Sequence, residues 1–351
     1  MHRPLRLAGG GGRLGRLLLR LACLGGLIAL GVVYREPIAV ALRRLAGLTP
    51  VALLSLPLFW LWNHVASVGW RGLLHVAHDG DHVPGSARLT VVRIEAQALN
   101  VVLPLASIGG DVLRSSLVAR GRARLASSAS AVVLDTTAAT IAGLLFTVGG
   151  VALRFGSLPL RLGAQLAVLL GTLAVAVALF QVPRVLGRLA RWRRLAPGSA
   201  VRRALRVFAL PRAAFAPALR WAVLCHLVER VLTAGEVYIL AHALGLRIGP
   251  VDALFAAAVM TGFTLFMFFI PAQAGAAEGG MALAFATLGL GSPAGLAVAL
   301  ARRGRQLITT AAGLTLLLVL EGRPPRALAA ERPGEPALPP RVKPLPGPDV
   351  A

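Results

Sequence analysis

Two short stretches interrupt otherwise membrane-grade hydrophobic sequence, and they do so in the same way. The first is Leu103-Pro104-Leu105-Ala106-Ser107-Ile108-Gly109-Gly110-Asp111-Val112-Leu113-Arg114. The second is Ile270-Pro271-Ala272-Gln273-Ala274-Gly275-Ala276-Ala277-Glu278-Gly279-Gly280. Each has an apolar residue before a proline, then small residues, then a double glycine beside a carboxylate. Proline lacks the N–H that a helix needs, and glycine adds backbone entropy, so neither stretch extends a helix cheaply. Within a bilayer such backbone survives only where protein or a water-filled cavity satisfies its polar groups. Interrupted segments in corresponding positions of two halves point to a substrate site near the bilayer midplane.

The rest of the chain supports a polytopic membrane protein. Its 351 residues are 56% hydrophobic and only 15% charged, with a mean hydropathy of +0.74, which a soluble domain rarely shows. A helix needs about 20 apolar residues to cross roughly 30 Å of hydrocarbon. Residues 17–34, 50–70, 127–153, 163–180, 218–240, 251–270 and 307–320 are the expected spans, the last needing flanking residues to complete its crossing. Residues 93–113 and 272–300 are apolar but broken, and either span or re-enter. The expected fold is therefore an all-α helix bundle of about 7–9 spans with two broken or re-entrant segments, a pattern compatible with an inverted repeat.

Charge placement gives an orientation. The formal net charge is +23, almost all of it arginine, with Lys343 the only lysine. A pI near 12 in a soluble protein would suggest nucleic acid. Here the basic residues fall between spans, so nucleic acid is not an expected partner. The segment 181–220 holds ten arginines and no acidic residue, which the positive-inside rule places in the cytoplasm. Arg114, Arg120, Arg122 and Arg124 read as a second cytoplasmic loop, and Arg302, Arg303 and Arg305 as a third. Arg3, Arg6, Arg13 and Arg16 put the N-terminus inside as well. The organisation expected is a basic cytoplasmic N-terminus (1–16), a transmembrane domain (17–321) and a Pro-rich disordered tail (322–351). The transmembrane halves, about 17–181 and 218–321, are joined by the Arg-rich loop 182–217. No disulfide is expected from Cys23 and Cys225, which both lie in apolar spans.

Six acidic residues lie in or beside apolar segments: Glu95, Asp111, Asp135, Glu229, Glu236 and Glu278. An acidic residue facing lipid at a helix centre costs about 2.5–3.5 kcal/mol, so these must face partners or a cavity. Arg114 and Arg230 are the natural counter-charges, with Arg303 at a helix end. In the span 218–240, Cys225, Glu229 and Glu236 share one face, with His226 and Arg230 on the adjacent stripe. The bland alternative is a set of buried pairs that only fix helix packing. Around Gly109-Gly110 the backbone N–H groups and Arg114 are suited to an anionic headgroup; the alternative is a close helix contact permitted by glycine.

The run His75-Val76-Ala77-His78-Asp79-Gly80-Asp81-His82 offers five metal-ligand side chains, His75, His78, Asp79, Asp81 and His82. It lies among turn residues in a loop, and a solvated turn is the better reading, so no metal or other cofactor is expected. No nucleophile–base pattern, nucleotide-binding loop or zinc-protease helix is present, and the chain is not expected to be an enzyme.

The motifs together resemble a known family. Glu95-Ala96-Gln97-Ala98-Leu99-Asn100, Leu103-Pro104, Gly109-Gly110-Asp111 and Arg114 are similar to the first half of the flippase-like transmembrane family named for lysylphosphatidylglycerol synthase. Glu236-Val237-Tyr238, Ala243-Leu244-Gly245, Phe268-Phe269-Ile270-Pro271, Gly275, Glu278-Gly279-Gly280, Leu288-Gly289-Leu290 and Arg302-Arg303 resemble its second half. Within it the chain looks closest to hopanoid-biosynthesis-associated membrane proteins. The family usually has glycine directly after the second proline, where Ala272 stands here. The resemblance implies a multi-pass bacterial inner-membrane protein of about eight helices with re-entrant elements, moving or handling lipids. Fused members carry a cytoplasmic domain that makes aminoacylated phospholipid; none is evident here, so that synthesis is not expected. The expected substrate-binding residues are Asn100, Pro104, Gly109, Gly110, Asp111, Arg114, Asp135, Glu236, Pro271, Gly275, Glu278, Gly279 and Arg303. Expected partners are membrane lipids, either an anionic phospholipid or a hopanoid-type lipid. Two other classes stay open: an intramembrane lipid-modifying enzyme, and a non-catalytic membrane partner of lipid-biosynthesis enzymes.

Overall fold

The computed structural model describes residues 50–78, 83–102, 108–119, 122–154, 170, 212–267 and 275–320. The expected spans 17–34 and, apart from Leu170, 163–180, most of the Arg-rich loop, the tail, Pro104 and Pro271 lie outside the described residues. The described residues form a helical bundle. A 3-10 turn (Pro50–Leu54) leads into α1 (Ser55–Ala77), followed by α2 (Ser86–Val102), α3 (Ile108–Val118) and α4 (Arg122–Ala152). Then come α5 (Arg212–Ala243), α6 (Pro250–Phe266), α7 (Ala276–Thr287) and α8 (Ser292–Leu320). There is no strand among the described residues.

The two sets of four helices correspond. After the first helix of each set come a 17-residue helix, a break, a helix of 11 or 12 residues, and a helix of 31 or 29 residues. The helix pairs match as well: α4 packs on α6, and α8 packs on α2. The central pair, α1 and α5, runs antiparallel, since Leu58 meets Gly235 while Gly69 meets Ala222 and Cys225. Corresponding helices that run antiparallel place the halves in opposite orientations, which is an inverted repeat. At 1.5 Å per residue, α3 and α7 are only about 17–18 Å long, too short to cross hydrocarbon alone. α4, at about 46 Å, is long enough for a full crossing.

Glycine explains how each short helix lies on its predecessor. A side chain at Gly110 would come within 2.5 Å of the Ala96 carbonyl, so α3 rests directly on α2. In the other half, a side chain at Gly280 would lie 2.8 Å from Met260 Cα, pressing α7 on α6. The second glycine of each double glycine is thus a packing contact. α7 starts at Gly275, whose φ of 84° is a left-handed conformation that favours glycine. The Glu278 carboxylate accepts a hydrogen bond from the Gly275 N–H at 3.0 Å and caps the helix. α6 starts the same way, with Gly249 N–H donating to Asp252 at 2.9 Å.

The bundle has apolar core clusters, and α5 adds buried polar groups behind an apolar outer face. On α5, Trp221, Leu224, Val228 and Val231 form an exposed stripe, while Cys225, His226, Glu229 and Glu236 are buried. That distribution suits a helix whose outer face meets lipid. Pro50–Ala77 and Leu125–Ala152 are long and apolar enough to cross a membrane, and Pro250–Phe266 is a shorter apolar helix.

Three expectations from sequence are corrected. The segment 307–320 is only the C-terminal half of α8, which begins at Ser292. Arg302, Arg303 and Arg305 consequently lie inside a helix and not in a cytoplasmic loop; each has an acidic partner that makes this tolerable. Arg114 is likewise a buried residue of α3 and not part of the loop that follows. α5 begins at Arg212, within the segment expected to be loop.

Candidate functional site: a cationic cavity between the broken segments

Two charge networks lie within the bundle. The first centres on Asp135 of α4, which is 1% exposed. Its carboxylate accepts hydrogen bonds from Arg114 Nη1 at 2.7 Å and from Arg93 Nη1 at 3.0 Å, and its other oxygen lies 3.0 Å from His226 Nε2. Arg114 also donates to Asp111 at 2.8 Å and lies over the Trp70 ring, 5.2 Å from its centroid. The network thereby binds α2, α3, α4 and α5 around one carboxylate. Taking one member of such a dry network away leaves an uncompensated charge, which costs about 3–5 kcal/mol.

The second network centres on Glu236 of α5, fully buried. Arg302 Nε donates to it at 2.8 Å and Arg305 Nε donates to its other oxygen. Arg305 stacks over Phe59 and Trp62, 4.8 and 5.0 Å from their centroids, an arrangement favoured by the ring quadrupoles. Next to it, Arg303 Nε donates to Glu278 at 2.6 Å. Here α8 supplies three arginines within four positions, and α5 and α7 supply the carboxylates.

This second network borders a cavity of about 360 Å³. Asn100 and Val101, immediately before the first break, line it from α2. Ala277 and Glu278, just after the second, line it from α7. Both broken regions thus reach one chamber. Phe59 and Trp62 form an aromatic wall, and Thr233, Thr261, Thr264, Thr309 and Thr310 add hydroxyls. Among the described residues, Arg230, Arg302, Arg303 and Arg305 face two lining carboxylates, Glu229 and Glu278, with Glu236 behind them. The chamber therefore carries an excess of positive charge. Arg230 Nε is buried and finds no hydrogen-bond partner among the described residues. Such a site attracts an anion that can accept hydrogen bonds from guanidinium.

The sequence-selected residues separate into two groups. Asn100, Glu278 and Arg303 line the cavity, with Glu236 directly behind it. Asp111, Arg114 and Asp135 belong to the first network and do not line it. Gly110 donates its N–H to Asn100 Oδ1 at 2.6 Å, so its backbone is already occupied. Gly109 is half-buried beside it, Gly275 caps α7, and Gly279 faces Phe263. Pro104 and Pro271 fall outside the described residues, as do Asp79, Asp81 and His82. His75 is exposed, whereas His78 is buried and pairs with Ser128 Oγ at 3.1 Å. Among the described residues no three His, Cys, Asp or Glu side chains gather as metal ligands.

Sequence reading missed Arg93, Arg302 and Arg305 as charge partners, and left His226 without a role. A usable signal existed for two of them: Arg302 and Arg305 sit three apart between apolar stretches, as residues on one helix face would. Arg93 offers no comparable signal, because its partner Asp135 is 42 residues away.

A helical membrane protein with paired broken helices around a polar chamber is the class this architecture defines. The chain belongs to the family described as the lysylphosphatidylglycerol synthase transmembrane region, whose model matches residues 17–313. It is thereby a membrane protein related to lipid handling. No match is found among curated proteins or among solved structures.

Proposed function

We propose that this protein translocates or handles an anionic lipid across the bilayer, with the lipid headgroup entering the chamber between α1, α2, α5, α6, α7 and α8. One observation carries this reading: the chamber lies inside the helical bundle, is lined by residues beside both broken regions and has more guanidinium groups than carboxylates. A phosphate-bearing headgroup would engage Arg230 and compete with Glu278 for Arg303, while its acyl chains stay against the apolar outer faces. Family membership supports lipid as the substrate class, and the charge excess favours an anionic phospholipid over a neutral hopanoid-type lipid. The reading requires no chemistry on the lipid, so the protein acts as a flippase-like carrier and not as an enzyme. Its setting is a bacterial inner membrane, with the Arg-rich segment 181–220 and the N-terminus on the cytoplasmic side. Any association with lipid-biosynthesis enzymes would deliver the substrate.

Reconstitution into vesicles carrying a fluorescent anionic phospholipid tests it. Protein-dependent loss of inner-leaflet protection from a membrane-impermeant quencher, absent with empty vesicles, is the expected result. Unchanged protection would contradict translocation, and a product of altered mass would indicate an enzyme instead.

A further inference from the structure

His226 links the first network to Glu229 on the chamber wall, and its ring geometry fixes a proton count. It is fully buried, with Nδ1 2.6 Å from Glu229 Oε2 and Nε2 3.0 Å from Asp135 Oδ1. A neutral imidazole has one N–H and one lone pair. Two carboxylates on opposite sides of the ring therefore need two protons among the three groups. Either the ring is an imidazolium donating to both carboxylates, or it is neutral and one carboxyl carries the second proton. The two arrangements interconvert by moving one proton between His226 Nδ1 and Glu229 Oε2. Glu229 is also a wall residue of the chamber, its side chain 12% exposed.

We propose that Glu229–His226–Asp135 is a proton-binding site coupled to occupancy of the chamber by an anion. This rests on the preceding reading that an anionic headgroup binds there. Imidazolium between two carboxylates gives the array one net negative charge. Losing one proton to water leaves it with two negative charges and sets a lone pair against a carboxylate across one of the two short contacts. That contact opens, and an unprotected Glu229 turns its charge to the chamber, where it competes with the headgroup for Arg230 and its neighbours. A protonated array therefore favours the anion, and by reciprocity an arriving anion draws in a proton. Histidine is the side chain whose ordinary titration range makes such a switch useful near neutrality.

The ionisable surroundings fit this assignment. On α4 the facing group is Asp135; on α5 itself they are Glu229, Arg230 and the neighbouring Cys225. α2 contributes Arg93, whose Nη2 lies 3.9 Å from Glu229, and α3 contributes Arg114, with Asp111, through Asp135. α8 presents Arg302 and Arg305 on the chamber side, held by Glu236 of α5. α1 brings uncharged Gly69 against Cys225, next to His226. Of α6, Met260 and Thr261 line the chamber, and its acidic residue Asp252 sits at the helix start, against Gly249.

The test is calorimetric titration of the purified full chain with short-chain phosphatidylglycerol. It is run from about pH 5 to about pH 9 in buffers of different ionisation heat, with phosphatidylcholine as the neutral comparison. The expected result is uptake of up to one proton per anionic lipid, with affinity falling by as much as about tenfold per pH unit across the titration range. His226→Gln should bind with no proton uptake and no such slope. Glu229→Gln, a second variant in case the first does not fold, should hold the lipid more tightly at high pH, again without uptake. Anionic-lipid binding without proton uptake, or uptake that persists in both variants, overturns the coupling alone. Absence of anionic-lipid binding at every pH overturns the preceding reading, and the coupling with it.

Discussion

Arg303 Nε donates to Glu278 Oε1 at 2.6 Å, while the other oxygen of the same carboxylate caps α7 at Gly275. One side chain thus sets where the helix restarts after the second break and holds that helix to α8. The counterpart in the first half is Asp111, in the first turn of α3, paired with Arg114 at 2.8 Å. Pro104 precedes Asp111 by the same seven positions that separate Pro271 from Glu278. The repeat seen in the sequence is therefore one of position and of chemistry, a first-turn acid tied to an arginine.

Glu278→Ala should lower stability by about 1–3 kcal/mol, because it removes a helix cap and an ion pair whose members are only partly exposed. Glu278→Gln should lose less, since an amide oxygen still accepts the Gly275 N–H. Thermal unfolding of the two variants in detergent, side by side, checks the order.

Asp135→Ala should be among the most damaging single changes, at about 3–5 kcal/mol, since Arg93 and Arg114 would lose their shared carboxylate in a dry interior. A sharp fall in the monodisperse fraction after extraction is the expected outcome. Asp135→Asn should fall in between.

Arg114→Ala and Arg230→Ala should differ in kind. Arg114 holds the first network together, so its loss should reduce stability and leave headgroup affinity in the surviving folded protein little changed. Arg230 lines the chamber, so its loss should weaken anionic-lipid binding by about tenfold or more with a small change in melting temperature. Titrating both variants with an anionic and a neutral lipid distinguishes the two effects.

Gly110→Ala should destabilise by about 1–3 kcal/mol through a clash with the Ala96 carbonyl and the Asn100 side chain. Gly149→Ala, whose added methyl meets nothing within 4 Å, should be neutral or raise stability by about 0.5–1 kcal/mol. Melting temperatures of the pair test whether the double glycine of the first break is a packing device.

Much of this architecture was legible in the sequence because hydrocarbon leaves few choices for the backbone. The helical class, a short helix starting just ahead of each double glycine, the buried carboxylates Asp135, Glu229 and Glu236, and the half-buried Glu278 all follow from the cost of exposed polar groups in lipid. The cost does not say which cation meets which anion. Arg302 and Arg305 reach Glu236 across more than sixty positions of chain, and Arg93 reaches Asp135 from another helix. Such pairings depend on how helices cross, which local pattern does not encode. Arginine at 302–305 also satisfied the charge rule for a cytoplasmic loop, and only burial against α5 and α7 reveals it as interior. Arg114 was misplaced for the same reason: it lies inside the bundle, paired with Asp111 and Asp135.

Mass spectrometry of the lipids retained by the purified protein tests the central claim most directly, the claim that the chamber holds an anionic headgroup. Wild-type protein should retain anionic phospholipid enriched over its share of the host membrane, and Arg230→Ala should lose that enrichment while remaining folded. Retained lipids that mirror the bulk membrane in both proteins would contradict the account.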